Sequence, residues 1–237
     1  MIACKMLIPL QELDLKLDAF NAEIAEKKQK VVKMQNDVEE EVKLNDKKLA
    51  LLKKIKLRKQ QAETSLKEIE TKLNDIGLKM RSAGVKPAVY NALEKEFKTL
   101  ESNKDQIETK ILEDIEKIEK LQADTDKGTK FTGGRKEHLA LVKQRVSEEI
   151  IGIKKQAELV KTERQQNSLS VDSQALIKYQ ELRDKKGGKV LFGIDKPSCP
   201  KCGMAFHGGF ANMIKSHDEG ELCSNCGVIL YWTGSRE

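Results

Sequence analysis

From Leu10 to Ile76 the apolar residues recur in alternating steps of three and four. The seam runs Leu10, Leu13, Leu17, Phe20, Ile24, Val31, Met34, Val38, Val42, Leu49, Leu52, Ile55, Ala62, Leu66, Ile69, Leu73, Ile76. Lys27, Asn45 and Lys59 are its polar interruptions. A mean step near 3.5 keeps one narrow stripe facing a partner helix, the signature of a left-handed coiled coil. At 1.5 Å per residue the helix is on the order of 100 Å long. It needs a partner to cover that stripe.

The same chain supplies one. Gly77, Gly84 and Pro87 interrupt the pattern, with Pro87 suited to the first turn of a new helix. The stripe resumes through Leu93, Phe97, Leu100, Ile107, Ile111, Ile115, Ile118 and Leu121, and again from Leu139 to Val160. Folding about residues 82–84 pairs residue i with roughly residue 166 − i. That register sets the run Lys47 to Lys59, which has no acid between Asp46 and Glu63, opposite Glu108, Glu113, Asp114, Glu116 and Glu119. A solvated face neutralised by its neighbour is preferred here over a nucleic-acid patch. A dimer of extended chains is the architectural alternative.

Two stretches break the rule. Gln122 to Glu137 holds Gly128, Gly133 and Gly134 and few apolar residues. Glycine costs about 1 kcal/mol in a helix interior, so a kink, bulge or break is expected there, with a merely loosened stretch preferred over a hinge. At the tip, near residues 77–90, Met80, Val85, Val89 and Tyr90 cluster where the chain turns. They either close the loop on themselves or form a partner surface.

The C-terminal region changes character. Cys199-Pro-Lys-Cys202-Gly and Cys223-Ser-Asn-Cys226-Gly stand with twenty residues between the pairs. Two such knuckles close a tetrahedron of thiolates around one zinc ion and leave it no open position, so the site reads as structural. Disulfides are the competing reading. The opening Met1 to Met6 is too short in apolar length for a secretory signal, which favours reduced thiols and a cytoplasmic chain. His207 and His217 lie between the knuckles as substitute ligands, and surface positions are preferred for both. Cys4 has no partner.

Composition narrows the function. Charged residues make up 35% of the 237 and aromatics 4%, a profile for exposed helices and not for a large core. No stretch approaches the roughly 18 apolar residues of a membrane span. The net charge of +6 falls to +4 once four thiolates and one Zn²⁺ are counted. No phosphate loop, no His-Glu-x-x-His and no nucleophile elbow is present in the sequence, so no enzyme is expected.

A basic segment precedes the knuckles. Lys178, Arg183, Lys185, Lys186 and Lys189 lie at the end of a short helix from about Ser173 to Lys185, ended by Gly187 and Gly188. Some of these cations complement the helix carbonyls. The rest suit an acidic protein surface or an RNA backbone. Phe206, Phe210, Tyr231 and Trp232 offer rings that would stack bases or build the ribbon core. Core is preferred for Phe206 and Tyr231; Trp232 stays open.

Together these readings give a mostly α chain: a long antiparallel coiled-coil hairpin over 1–170, a short helix and basic linker over 171–195, and a small β zinc ribbon over 196–237. Tyr179-Gln-Glu-Leu-Arg183-Asp-Lys-Lys-Gly187-Gly188, the Cys223-Ser-Asn-Cys226-Gly-Val-Ile-Leu-Tyr-Trp232 ending and Tyr90-Asn-Ala-Leu-Glu-Lys-Glu96 resemble the bacterial C4-type zinc-ribbon, coiled-coil-hairpin family. The resemblance implies a non-enzymatic cytoplasmic adaptor or chaperone. It implies partners among sigma-54 and flagellar or type III export components, and RNA in one setting. The oligomeric state is left as monomer or homodimer. A nucleic-acid regulator working through the ribbon and residues 178–189 is the alternative function.

Overall fold

The structure is a computed structural model that describes residues 2–83, 86–216 and 219–234. Helix α1 spans Leu7–Arg81 and helix α2 spans Pro87–Ser168, followed by α3 over Ser173–Lys186. The remaining elements are short: β1 (Ile2–Ala3), β2 (Leu191–Ile194), α4 (Gly208–Ser216), β3 (Glu219–Leu222) and β4 (Ile229–Trp232). The expected fold class holds: a long helical hairpin with a small C-terminal sheet and a four-cysteine cluster consistent with a zinc ribbon. Contacts divide the chain into two compact units, Met1–Val31 with Val142–Glu237, and Val32–Leu141.

Within the central unit, Val32–Leu141, every seam position read from the sequence is buried or half-buried, including the polar Asn45 and Lys59. The register differs from the expected one. Arg58 meets Asp114, where folding about 82–84 puts Glu108, and Lys48 meets Asp124. Glu41 accepts from Arg135, and Lys104 lies 3.8 Å from Glu70. Apolar periodicity fixes which face is inward but is nearly degenerate to a slip of one heptad. Specific polar pairs settle it.

The glycine-rich interval corrects a second expectation. Helix α2 runs without interruption through Gly128, Gly133 and Gly134. The heptad continues there as Leu121, Thr125, Gly128, Thr132, Arg135 and Leu139, none of them exposed. Thr125 is fully buried, and its hydroxyl donates to Gln122 O at 3.0 Å. Thr132 donates to Gly128 O at 2.9 Å and Thr129 to Thr125 O at 2.8 Å. Each threonine thus satisfies itself on the preceding turn. Asn45 from α1 enters this layer and donates through Nδ2 to Thr129 Oγ1 at 3.0 Å.

The other unit carries the sheet, in strand order β1-β3-β4-β2. Strand β2 lies parallel to β4, with Leu191 opposite Ile229 and Ile194 opposite Trp232. Strands β3 and β1 add antiparallel neighbours, Ile2 facing Gly220. A core of Leu7, Leu10, Val171, Ala175, Tyr179, Val190, Leu191 and Ile229 joins the start of α1 to α3 and the sheet. Cys4, without a role in the sequence, is buried in this core, and burial pushes its thiol up to about 12. The ribbon therefore packs directly on the first turns of α1.

A buried polar network ties the same elements. Asp14 accepts from Tyr179 Oη at 2.9 Å and from Arg164 Nε at 2.9 Å, with Arg183 Nε 3.7 Å away. Burial, reinforced by the Asp14 charge, raises the Tyr179 phenol well above its ordinary range. Gln11 stands in for a strand at the edge of β2: its Oε1 accepts from Val190 N and Leu191 N at 2.9 and 2.7 Å, and its Nε2 donates to Leu191 O. Further along, Lys27 donates to Glu149 at 2.8 Å. The expected register puts Leu139 there.

Candidate metal centre

Both knuckles follow one backbone plan. In the first, Gly203 N donates to Cys199 O at 2.9 Å and Cys199 N to Met204 O at 2.8 Å. In the second, Gly227 N donates to Cys223 O and Cys223 N to Val228 O, each at 2.8 Å. The glycine after each pair has φ of +75° or +68°, a left-handed conformation that costs a side-chain-bearing residue. The Cys-x-x-Cys-Gly spelling thus encodes the turn as well as the sulfurs.

The four Sγ atoms lie within 4.8 Å of one another. Cys199 and Cys226 are 3.7 Å apart, Cys202 and Cys223 3.8 Å. Zn–S bonds of about 2.3 Å in a tetrahedron give sulfur–sulfur edges of about 3.8 Å. A disulfide would bring two sulfurs to about 2.05 Å. The cluster therefore fits a tetrahedral metal ion with four protein ligands. Cys199 and Cys223 are buried, Cys226 is half-buried and Cys202 is exposed. Burial pushes the Cys226 thiol up to about 12, whereas the Met204 N–H beside Cys202 lowers that thiol to about 6.

Ile194, Ile214, Val228 and Leu230 surround the inner cysteines, and Phe206, Phe210 and Trp232 pack on this cluster. The Phe206 and Phe210 rings are 5.1 Å apart, and Tyr231 packs on the neighbouring core. Helix α4 fills part of the interval between the knuckles, with the His207 carbonyl accepting from Phe210 and Ala211 at its start. His207 is exposed and stands apart from the sulfur cluster; His217 lies outside the described residues.

The basic segment separates into two groups. Arg183 is only 12% exposed at its side chain, donates to both oxygens of Asp18 and to Gly188 O, and is thereby held inside the unit. Lys178, Lys185, Lys186 and Lys189 are exposed, and Lys189 Nζ lies 5.0 Å from the Phe192 ring. Lys186 reaches over Gly227 of the second knuckle. Trp232 is half-buried with Lys215 Nζ 5.9 Å from its ring. At the tip Met80 is half-buried and Tyr90 is 43% exposed, while Val85 lies outside the described residues.

Sequence reasoning passed over Gln11, Asp14, Asp18 and Arg164, although Asp14 and Asp18 repeat at one helical turn. Tyr179 and Arg183, the fixed points of the resemblance, also stand one turn apart, and both reach α1 through Asp14. Spacing of four on each helix was the available signal.

A helical hairpin bearing a four-thiol ribbon defines the class. The family model of the CT398-like coiled coil hairpin domain matches residues 77–187. Among solved structures the fold is similar to CT398 from Chlamydia trachomatis, with TM-score 0.87, 20% identity and 98% of each chain covered. It is also similar to the HP0958 protein from Helicobacter pylori, with TM-score 0.69 and 20% identity over 98% of each chain. A Mycobacterium smegmatis protein aligns at TM-score 0.55 and 18% identity, covering 98% of this chain and all of that one. At such identities the likeness is one of fold. No curated protein sequence matches the chain.

Proposed function

We propose that the protein is a non-enzymatic cytoplasmic adaptor or chaperone that engages protein partners through its helical hairpin and a ribbon folded on structural zinc. The observation that carries this reading is the four-sulfur cluster. Four protein ligands leave a bound zinc ion no position for water or substrate, so the metal's work is to fix shape. Among the described residues no helix is long and apolar enough to cross a membrane. The sequence resemblance makes sigma-54 and flagellar or type III export components the first partners to test. Capture with the intact chain and with Cys202→Ser tests it: the adaptor reading expects stoichiometric zinc and a defined protein partner for the intact chain. Capture of no protein by the intact chain removes it.

A second reading rests on Lys178, Lys185, Lys186 and Lys189, all exposed in the segment that precedes the four-cysteine ribbon. They suit the phosphate backbone of RNA or DNA. Binding through them weakens with salt at a log–log slope of about −0.7 per phosphate contact for single strands. A salt-independent or absent RNA signal removes this alternative.

A further inference from the structure

The central unit has an uncovered face that its own seam does not use. On α1, Leu44, Leu51 and Arg58 repeat every seven residues and so form one row beside the seam. Lys47, Lys54 and Gln61 form the adjoining row. Leu44 is 60% exposed, Leu51 47% and Leu57 56%, more than scattered surface leucines within fourteen residues need. Beside them a groove of about 540 Å³ opens between Leu51, Ile55 and Arg58 of α1 and Lys117 of α2. A second depression shares Arg58 and Lys117 and continues the groove toward Ala62 and Lys110.

Charge says what fits. Arg58 is engaged by Asp114, Lys117 by Glu113 and Lys48 by Asp124. Lys47, Lys54 and Lys110 hold no acid among the described residues. The face therefore presents Leu44 and Leu51 one heptad apart, the row of Lys47 and Lys54 beside them and Leu57 on that row's far side, so that cations without a direct ion pair alternate with apolar side chains. A nucleic-acid backbone has no use for the leucines. A two-fold copy of the same face would oppose lysine to lysine.

We infer that this face, from Leu44 to Arg58 with the groove beside Lys117, docks an amphipathic helix of a protein partner whose apolar stripe is flanked by Glu and Asp. The inference rests on the adaptor reading and gives it a partner chemistry. Leucines of the incoming helix bury against Leu44, Leu51 and Leu57, as apolar anchors do in helix-in-groove recognition. Its carboxylates meet Lys47, Lys54 and Lys110.

The test uses the full chain and a fluorescent synthetic peptide of about three heptads, with leucines on one face and glutamates flanking them. Controls are the same composition with the leucines scrambled, and the same stripe flanked by lysines. Binding of the first peptide alone is expected. Leu51→Ser with Leu57→Ser is expected to weaken it roughly tenfold or more at any salt. Lys47→Glu with Lys54→Glu weakens it strongly at low salt, and the difference shrinks at high salt. All four side chains are exposed, and unchanged thermal melts confirm that the variants fold.

Equal binding of the scrambled peptide overturns the inference, since bare charge then suffices. Displacement by an oligonucleotide at the peptide's own affinity also overturns it, in favour of nucleic acid. So does self-association in sedimentation that Leu51→Ser abolishes, in favour of a second copy. Partner capture separates this inference from the reading beneath it. Partners that the leucine and lysine variants retain as fully as the intact chain overturn the groove and leave the adaptor standing. Loss of those partners in the variants supports both.

Discussion

Asn45 Oδ1 rests against the bare Cα of Gly128, so that a methyl group on Gly128 would strike it and stand 3.0 Å from Asn45 Cγ. The same oxygen is buried without a hydrogen-bond partner, while the amide nitrogen is held by Thr129. Asparagine in an apolar seam sacrifices stability for a unique register. Here the glycine is what admits it.

The prediction is an inverted glycine series. Gly133 and Gly134 have nothing within 4 Å of a built Cβ, so Gly133→Ala and Gly134→Ala should each stabilise by about 0.5–1 kcal/mol through helix propensity. Gly128→Ala should instead destabilise, by about 1–3 kcal/mol, because Asn45 must be displaced within a packed layer. Urea unfolding of the three variants checks the sign. A stabilised Gly128→Ala would show that the layer is loose.

Removing the metal should melt the ribbon and spare the central unit. Cys199 and Cys223 share a core with Ile194, Ile214, Val228 and Leu230, and without an ion nothing joins the two knuckles through their sulfurs. Chelation, or Cys202→Ser, should shift the emission of Trp232, the single tryptophan, while far-UV circular dichroism keeps most of its helical signal. Unchanged Trp232 emission in metal-free protein would count against a structural ion.

The Asp14 network predicts unequal costs. Tyr179→Phe removes one hydrogen bond to a charged group and should cost about 1.5–3 kcal/mol. Asp14→Ala leaves Arg164 and Arg183 without their shared carboxylate and should cost about 3–5 kcal/mol. Thermal or urea melts read both. Equal effects would mean that the arginines re-pair with Asp18 or Gln180 at no cost.

Acid should weaken the central unit through Arg58 and Asp114. The guanidinium donates from Nε to Oδ2 at 2.8 Å and from Nη2 to Oδ1, and holds the carboxyl below its ordinary value of 3.8. A depressed carboxyl contributes stability that is complete above the ordinary value and is lost as pH falls through the folded one. Stability near neutral pH should be flat and then drop below about pH 4. Asp114→Asn should lower the plateau and flatten that drop. An unaltered acid limb in this variant would assign it to other carboxylates.

The seam and the sulfurs were legible because each obeys a short-range rule. Periods of three and four fix a buried face, and a Cys-x-x-Cys-Gly knuckle carries its turn with it. The glycine interval was misread because an apolar filter skips Thr125, Gly128, Thr132 and Arg135, which keep the heptad with small or polar side chains. Register escaped for a related reason: leucine-like positions accept a slip of one heptad, and the discriminating pairs Arg58–Asp114 and Lys27–Glu149 lie among many other charges. Gln11, Asp14 and Cys4 gain meaning only from residues some 150 to 216 positions away, such as Gly220 beside the Cys4 sulfur.

Strand β1 pairs with β3, joining Ile2 and Ala3 to Gly220 and Glu219. Leu7 and Leu10 likewise pack with Val171, Tyr179, Leu191 and Ile229, so a nascent chain must carry them uncovered until the segment through Ile229 has left the ribosome. The helical hairpin, built from neighbours in sequence, is free to zip early. The core around Leu7 and Leu10 then closes last, and the wait before that closure is the interval in which the two leucines most need shielding from other chains.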